Sequence, residues 1–558
     1  MSMDDLLPTQ MPVSQLIENF KLGKIGIPEI QRDVVWDADQ VKSLLDSIKQ
    51  RYPCGSLIFW APREKDKSLI KAMIRPERLA YFGEQLPQWF LLDGQQRLSA
   101  LASVMLDRPV VKALLSELEE EMPFIYANVK KFPREIEATT DGGGYKFPWI
   151  LINHLFDGTY KSDPKVFDNL SSDQRTAIDN YVQRMRDYVF PVQIISGRTY
   201  IEVADIFTRV NSQGTQLTGA EIHLATIVPK WPGITKEFRD YRFELRGKNY
   251  DLDLNFLMRA ITVIECGVAQ IKKLAERVSE HKLSKRHLNR VWKQTKTATN
   301  KVIGALNRDL SLDKTKFFTS KNVLVPLVYY MAKDRSRSPA TRNMMRFFMY
   351  SQLSGHYGGA GESVLRRDMR YFNAYDLTPR QALDELVDEA RREAKQYYRR
   401  LRIKPDQISG SPSKNVMLLL MYVLMQQRGA RDFGSGRQPT LSDIAPENLQ
   451  IHHIFPFNYM MNDKTALRFR DEHYDTPAEY RADVNDIANM TFLGQDRNVS
   501  IGDAPPFEYL PLETRKTLRQ AHFIPEDKSL WHPSKFDKFL AARREMISKA
   551  ANSMLKYL

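Results

Sequence analysis

Ile451-His452-His453-Ile454-Phe455-Pro456 decides how this chain is read. The pair of imidazoles is answered downstream by Ile487-Ala488-Asn489-Met490-Thr491-Phe492-Leu493, and by Asn498, nine residues beyond Asn489. The apolar flanks predict a short strand carrying both histidines, with Pro456 setting the turn after it. Asn489 then stands just before a second short strand, and Asn498 opens a helix. Neighbouring strand residues face opposite sides, so His452 can face a metal ion while His453 faces a water. Cutting a phosphodiester needs a base for that water and positive charge at the leaving oxygen, roles that one histidine and one divalent ion can fill. The plainer alternative is two core histidines in a strand with asparagines in turns. The other histidines (His154, His223, His281, His287, His356, His473, His522, His532) are scattered and receive no role.

A second stretch lies far upstream. Trp89-Phe90-Leu91-Leu92 reads as a strand that runs into Asp93-Gly94-Gln95-Gln96-Arg97, and Gln95 to Met105 reads as a helix. A strand feeding a helix through glycine presents free backbone N–H groups, which suit a phosphate. Arg97 can add a bidentate contact, and Asp93 can hold an activated water. The alternative is that Asp93 caps the helix and pairs with Arg97. There is no Walker-type glycine loop, so spacing alone does not point to nucleotide chemistry.

At 558 residues the chain exceeds what one core serves, which predicts roughly two to four domains. Hydrophobic residues make up 42% and charged residues 27%, the profile of a folded water-soluble protein. The net charge of +14 favours a polyanion partner, nucleic acid above all, over an acidic or neutral one. Ordinary solubility charge is the alternative. Cys54 and Cys266, the only cysteines, exclude a disulfide framework and cysteine-based zinc sites, and fit a reducing cytoplasm. The acidic start Met1-Ser2-Met3-Asp4-Asp5 lacks a signal pattern. The apolar run Val416–Met425 is too short for a bilayer and reads as a buried helix, so no membrane partner is expected.

The first 225 residues mix helix signals (Ser14–Phe20, Asp37–Lys49) with strand signals (Ser56–Trp60, Gln88–Leu92, Val192–Ile195), and Pro28 makes Ile27–Arg32 extended. That mixture predicts an α/β or α+β domain. Residues 226–414 read as mostly helical and basic. Thr378-Pro379-Arg380-Gln381 is a strong helix start. The helix it opens begins acidic and ends with seven cations in fourteen residues, Arg391 to Lys404. Complementing the helix dipole and binding phosphate are both open as reasons for that cluster. Ile408–Ser413 reads as a linker, Gly429–Pro439 as a second loop, and residues 415–558 as the domain holding the histidine pair, closed by a helix through Phe536, Phe539, Leu540 and Ile547.

The histidine pair with its asparagines resembles the HNH (ββα-metal) nucleases, specifically the C-terminal nuclease of GmrSD-type modification-dependent restriction systems. The Asp93–Arg97 stretch resembles the DGQQR signature of the ParB-like (sulfiredoxin-like) domain paired with that nuclease. Ile27-Pro28-Glu29-Ile30-Gln31-Arg32 with Trp36, and Phe207-Thr208-Arg209-Val210-Asn211-Ser212-Gln213-Gly214-Thr215-Gln216-Leu217, fit it too. The likeness covers residues 14–225 and 415–550.

It implies a multidomain protein: an α+β ParB-like N-terminal domain (1–225), a helical spacer (226–414) and a C-terminal helical domain with a ββα-metal unit (415–558). His453 becomes the general base, His452 and Asn498 the metal ligands, and Asn489 the residue that fixes the loop and orients the base. Asp93, Gln31, Arg32, Gly94, Gln95, Gln96, Arg97, Arg209 and Asn211 become candidates for binding or hydrolysing GTP, ATP or UTP. The family places an acidic residue where His452 stands. That change favours Mn²⁺, Ni²⁺ or Zn²⁺ over Mg²⁺. The gap of 36 residues from His453 to Asn489 exceeds that of compact units, with Arg468–Tyr480 as an insertion.

The implied activity is an NTP-regulated, metal-dependent endonuclease of bacterial antiphage defence, cytoplasmic, acting on double-stranded and modified phage DNA. A homodimer would place two single-strand cutters on opposite strands. The alternatives are a DNA-binding regulator with a vestigial nuclease site, or an RNA-directed abortive-infection nuclease.

Overall fold

Alternating apolar residues in Val189–Ile195 and wholly apolar ones in Leu57–Trp60 build the first part of the protein around a mixed sheet. A computed structural model describes residues 6–27, 36, 38–63, 86–107, 110, 124–134, 136–139, 146–199, 202–203, 206, 219–280, 282–359, 361–373, 376–411 and 416–558. The chain divides into two compact units, Met1–Glu237 with Val278–Lys282, and Phe238–Arg277 with Leu283–Leu558.

In the first unit the strands are β1 (Leu6–Pro12), β2 (Ile25–Gly26), β3 (Leu57–Trp60), β4 (Trp89–Asp93), β5 (Phe124–Asn128), β6 (Ile136–Thr139), β7 (Trp149–Leu151) and β8 (Val189–Ile195). The main sheet has the order β1-β8-β3-β4-β2, and β6-β5-β7 form a second, smaller sheet. β3 runs parallel to β8 and antiparallel to β4, with a register shift between Ile58 and Phe59. Such an irregularity twists and re-aims a strand end, here beside Asp93, the partner of Ile58. Helices α1 (Val13–Lys21), α2 (Ala38–Lys49), α3 (Gln95–Met105) and α4 (Ser172–Arg186) accompany the sheets. Leu16, Phe20, Leu45, Leu98, Leu101 and Met185 bury their side chains in one core with Leu57, Leu91 and Val192 of the sheet.

The second unit is helical: α5 (Leu254–Cys266), α6 (Lys285–Leu310), α7 (Leu324–Lys333), α8 (Thr341–Ser354), α9 (Gly361–Asn373), α10 (Pro379–Tyr397) and α11 (Val416–Gln427). A two-stranded antiparallel ribbon, β9 (Leu449–His453) with β10 (Met490–Gly494), follows, then α12 (Gln495–Ile501), α13 (Pro506–Glu513) and the closing α14 (Phe536–Tyr557). α10 begins with the capping box expected from Thr378 and Gln381, with proline in its first turn. Residues Met417 to Met425 of α11 are all buried. Among the described residues no single helix is long and apolar enough to cross a membrane.

The stretches drawn as a spacer and a C-terminal domain share this unit. Lys316 donates to the carbonyls of Pro446 (2.7 Å) and Leu449 (2.6 Å), and Phe317 packs on Phe492 of β10. The expected linker is anchored where it is described. Gly410 donates its N–H to Asp486 at 2.8 Å, Arg544 donates to the Ile408 carbonyl at 3.2 Å, and Ile408 is buried. Residues 412–415 lie outside the described residues. Three short helices, Phe457–Asn462, Lys464–His473 and Pro477–Val484, fill the gap between the histidines and Asn489.

Candidate functional site

β9 and β10 pair so that His452 stands opposite Thr491 and His453 opposite Met490. The chain leaves β10 directly into α12, making a strand–strand–helix frame, and Asn498 lies one turn inside that helix rather than at its start. The strand alternation separates the two histidines. His452 faces Asn498 and Tyr509, while His453 faces Asn485 and Phe457.

His452 is nearly inaccessible to solvent (3% exposed). Its Nδ1 lies 2.7 Å from Asn498 Oδ1 and its Nε2 3.3 Å from the Tyr509 hydroxyl. That hydroxyl donates to the Ile454 carbonyl at 2.9 Å. Burial pushes the His452 pKa down to about 4, against the Asn498 hydrogen bond, with the nearby His453 adding to the fall. The ring is therefore neutral at pH 7 and has one N–H for two partners. With that proton on Nδ1 it donates to Asn498. With it on Nε2 it donates to Tyr509, and Nδ1 is left bare against an amide oxygen. Two acceptors so close fit a cation between them. Two ligands each about 2.1 Å from one ion, at roughly a right angle, stand about 3 Å apart. The pair could supply two of the ligands of a divalent ion. Among the described residues no group of three or more His, Cys, Asp or Glu side chains is placed to hold a metal.

His453 is half-buried, and its Nε2 lies 3.1 Å from Asn485 Oδ1. An amide oxygen only accepts, so this contact keeps the proton on Nε2 and leaves Nδ1 as the basic nitrogen. Burial lowers the His453 pKa and outweighs the opposing Asn485 contact.

Asn489 is fully buried and closes the loop after the histidine strand. Its Oδ1 accepts from the Phe455 N–H (2.9 Å), and its Nδ2 donates to the carbonyls of Phe455 (3.0 Å) and Val484 (2.9 Å). It acts on backbone, as a positioning residue. Behind it stands Arg543 of α14, wholly buried, donating to the carbonyls of Ala488 (2.6 Å), His522 (3.0 Å) and Phe523 (3.1 Å). Burial pulls the Arg543 pKa down to about 9. His522, held by Thr491 at 2.7 Å and the Arg431 carbonyl at 2.8 Å, is likewise pushed by burial to about 4. Sequence reading missed Asn485, Tyr509, His522 and Arg543. Only Asn485, four residues before Asn489, lay close enough in the sequence to be noticed.

In the first unit, Asp93 ends β4 and Gly94 takes a left-handed backbone (φ 97°) into α3. A side chain at Gly94 would collide with Leu57, 2.2 Å from the position of a Cβ, so glycine is required there. The α3 start has no side-chain cap, which leaves its first N–H groups to other partners. Arg97 donates to Asp93 Oδ2 (3.1 Å) and to the Cys54 carbonyl (2.5 Å). In this state its guanidinium serves the fold: the ion pair of the alternative reading forms, but Asp93 does not cap the helix, whose N-cap is Gly94. Gln95 and Gln96 are buried, and Gln96 Oε1 accepts from the Trp36 N–H at 3.2 Å. Gln31, Arg32, Arg209 and Asn211 lie outside the described residues.

The uncharacterized protein MJ0686 of Methanocaldococcus jannaschii is 19% identical to this chain, covering 89% of it and 85% of the relative. Residues 13–228, which contain the Asp93–Arg97 turn and four of the five strands of the main sheet, match the family described as the GmrSD restriction endonuclease, N-terminal domain.

Proposed function

We propose that this protein is a restriction endonuclease of phage defence that hydrolyses DNA phosphodiesters at the His452–His453 site with a divalent ion. The observation that carries the reading is the 2.7 Å approach of His452 Nδ1 to Asn498 Oδ1 on a strand–strand–helix frame, with His453 next along the strand. The match of residues 13–228 to the GmrSD N-terminal domain supports the restriction role. The frame supports assigning the second site to the HNH (ββα-metal) class.

His453 Nδ1 takes a proton from water as the water oxygen bonds to phosphorus and the bond to the leaving oxygen breaks. The neutral ring at pH 7 is the competent form. Asn485 holds the other ring nitrogen protonated. His452 and Asn498 would hold the ion, with Tyr509 accepting a hydrogen bond from His452 Nε2 and donating one to the Ile454 carbonyl, an arrangement typical behind ligating histidines. The ion, when bound, supplies positive charge at the leaving oxygen. One imidazole and one amide favour Mn²⁺, Ni²⁺ or Zn²⁺ over Mg²⁺.

The test is His453→Ala assayed on unmodified DNA, modified phage DNA and RNA. Loss of cutting with DNA binding retained is expected. Full nicking by the variant would remove the base assignment, and RNA as the sole substrate would favour the abortive-infection reading. In the same proposal the Asp93–Arg97 turn takes an NTP that regulates cutting, supported by the uncapped α3 start beside Gly94. A nucleotide would have to draw Arg97 from Asp93. Asp93→Ala should abolish NTP turnover, and wild-type protein that neither binds an NTP nor changes its cutting when one is added would end the regulatory part.

A further inference from the structure

The second unit contains a cleft of about 450 Å³ lined by Arg346, Arg391, Arg400, Arg402 and Lys556, with Asp388 the one acidic side chain in its wall. These cations come from separate elements: α8, α10, the turn after α10, and α14. Dipole complementarity at the end of α10 accounts for Arg391 at most. It does not account for the convergence of the others.

Three of the five acids of α10 are engaged elsewhere. Glu389 pairs with Arg367 at 3.0 Å, Glu393 meets His356 at 2.5 Å, and Asp384 accepts from Asn343 at 2.6 Å. Among the described residues no ion pair is found for Arg391, Arg400, Arg402 or Lys556, and all four are exposed. Arg346 donates to the carbonyl oxygen of Leu558 and to Asn343. The backbone reinforces the convergence. Arg400 and Leu401 are both left-handed (φ 58° and 55°), a conformation that side chains resist, and this turn sets Arg400 and Arg402 at the cleft.

Position adds the scale. Arg543, which binds the Ala488 carbonyl next to Asn489, precedes Lys556 by thirteen residues on α14. At about 1.5 Å per residue the cleft end of that helix is roughly 20 Å away.

We propose that this cleft is a second phosphate site, gripping the duplex backbone away from the point of cutting. The proposal rests on the DNA-nuclease reading for its choice of polyanion. Duplex binding is measured by anisotropy with the full chain, in chelator so that no cutting occurs, over a series of salt concentrations. The variant Arg391→Gln/Arg402→Gln/Lys556→Gln keeps the strained Arg400 and removes three charges. Binding about tenfold weaker or worse is expected, with the slope of log K against log salt falling by about 2 to 3. A control triple outside the cleft wall, Arg392→Gln/Lys395→Gln/Arg399→Gln, should change both much less.

Equal effects of the two triples would mean a diffuse field and overturn the site, as would unchanged binding by the first. Titration of wild type and variant with ATP, GTP and UTP forms the second arm. Loss of a mononucleotide with the duplex bound as before would assign the cleft to free nucleotide and overturn the proposal. Wild-type protein that grips duplex through the cleft but cuts no DNA would leave this site standing and remove the nuclease reading.

Discussion

His356 and His452 sit in the same compact unit, both almost wholly shielded from water, and their pKa values are pushed in opposite directions. His356 lies between two carboxylates, Nδ1 to Glu393 at 2.5 Å and Nε2 to Asp368 at 2.8 Å, with Tyr357 also donating to Asp368 at 2.5 Å and Arg367 pairing with Asp368 at 3.4 Å. Burial pulls its pKa down, but the two acids outweigh burial and raise it overall. His452 is surrounded by an amide, a phenol and rings, and nothing opposes burial strongly enough, so its pKa falls to about 4. A buried histidine with acidic partners keeps its proton to higher pH, as part of a structural network. One with neutral partners keeps a lone pair, which a metal ion or a proton can use. The contrast separates ligand chemistry from packing better than burial does.

The comparison can be broken most directly by removing one imidazole from each site. His453→Ala, beside His452, should lower the cleavage rate about 10²- to 10⁴-fold and leave thermal unfolding close to wild type. His356→Ala should do the reverse. Deleting one partner from a buried charge cluster costs roughly 3–5 kcal/mol, read as a fall in Tm, while cleavage per folded molecule is preserved. A large loss of cleavage in folded His356→Ala protein would erase the distinction.

A smaller effect sharpens the neutral site. Tyr509→Phe removes the hydroxyl that His452 Nε2 meets and should weaken Mn²⁺ binding about tenfold, measured by calorimetry. Unchanged affinity would remove Tyr509 from the ion's support.

The smallest effect is a pH slope. The folded pKa of His356 is raised above the unfolded 6.5. Its stabilising contribution is therefore complete below pH 6.5 and is lost as pH rises through the folded value. Wild-type Tm should fall across that window more steeply than that of His356→Gln. Parallel slopes for the two proteins would show that the carboxylates do not hold His356 charged.

Much of the frame was legible in the sequence because local physics dictates it. The strand at Leu57–Trp60, the helix from Gln95 and the capping box at Thr378 follow from side-chain period, glycine and hydroxyl chemistry. β1 was missed: Pro8 and Pro12 argue against a central strand, and it forms as an edge strand held by β8 alone. The linker expected at Ile408–Ser413 is anchored where it is described: serine and glycine suggest freedom, whereas Asp486 and Arg544 hold Gly410 and Ile408 from far along the chain.

By itself the sequence determined which residue types were available for chemistry and the order in which they occur: adjacent imidazoles, an amide nine residues after another, and a basic run after an acidic one. Only the tertiary structure decided which of them meet. It gave His453 an unforeseen partner in Asn485, tied Arg97 to Asp93, and gathered cations from α8, α10 and α14 into one cleft. The reason is physical. Spacing along a strand or helix sets the direction of a side chain, but its pKa and partners depend on burial and on charges brought in by distant segments.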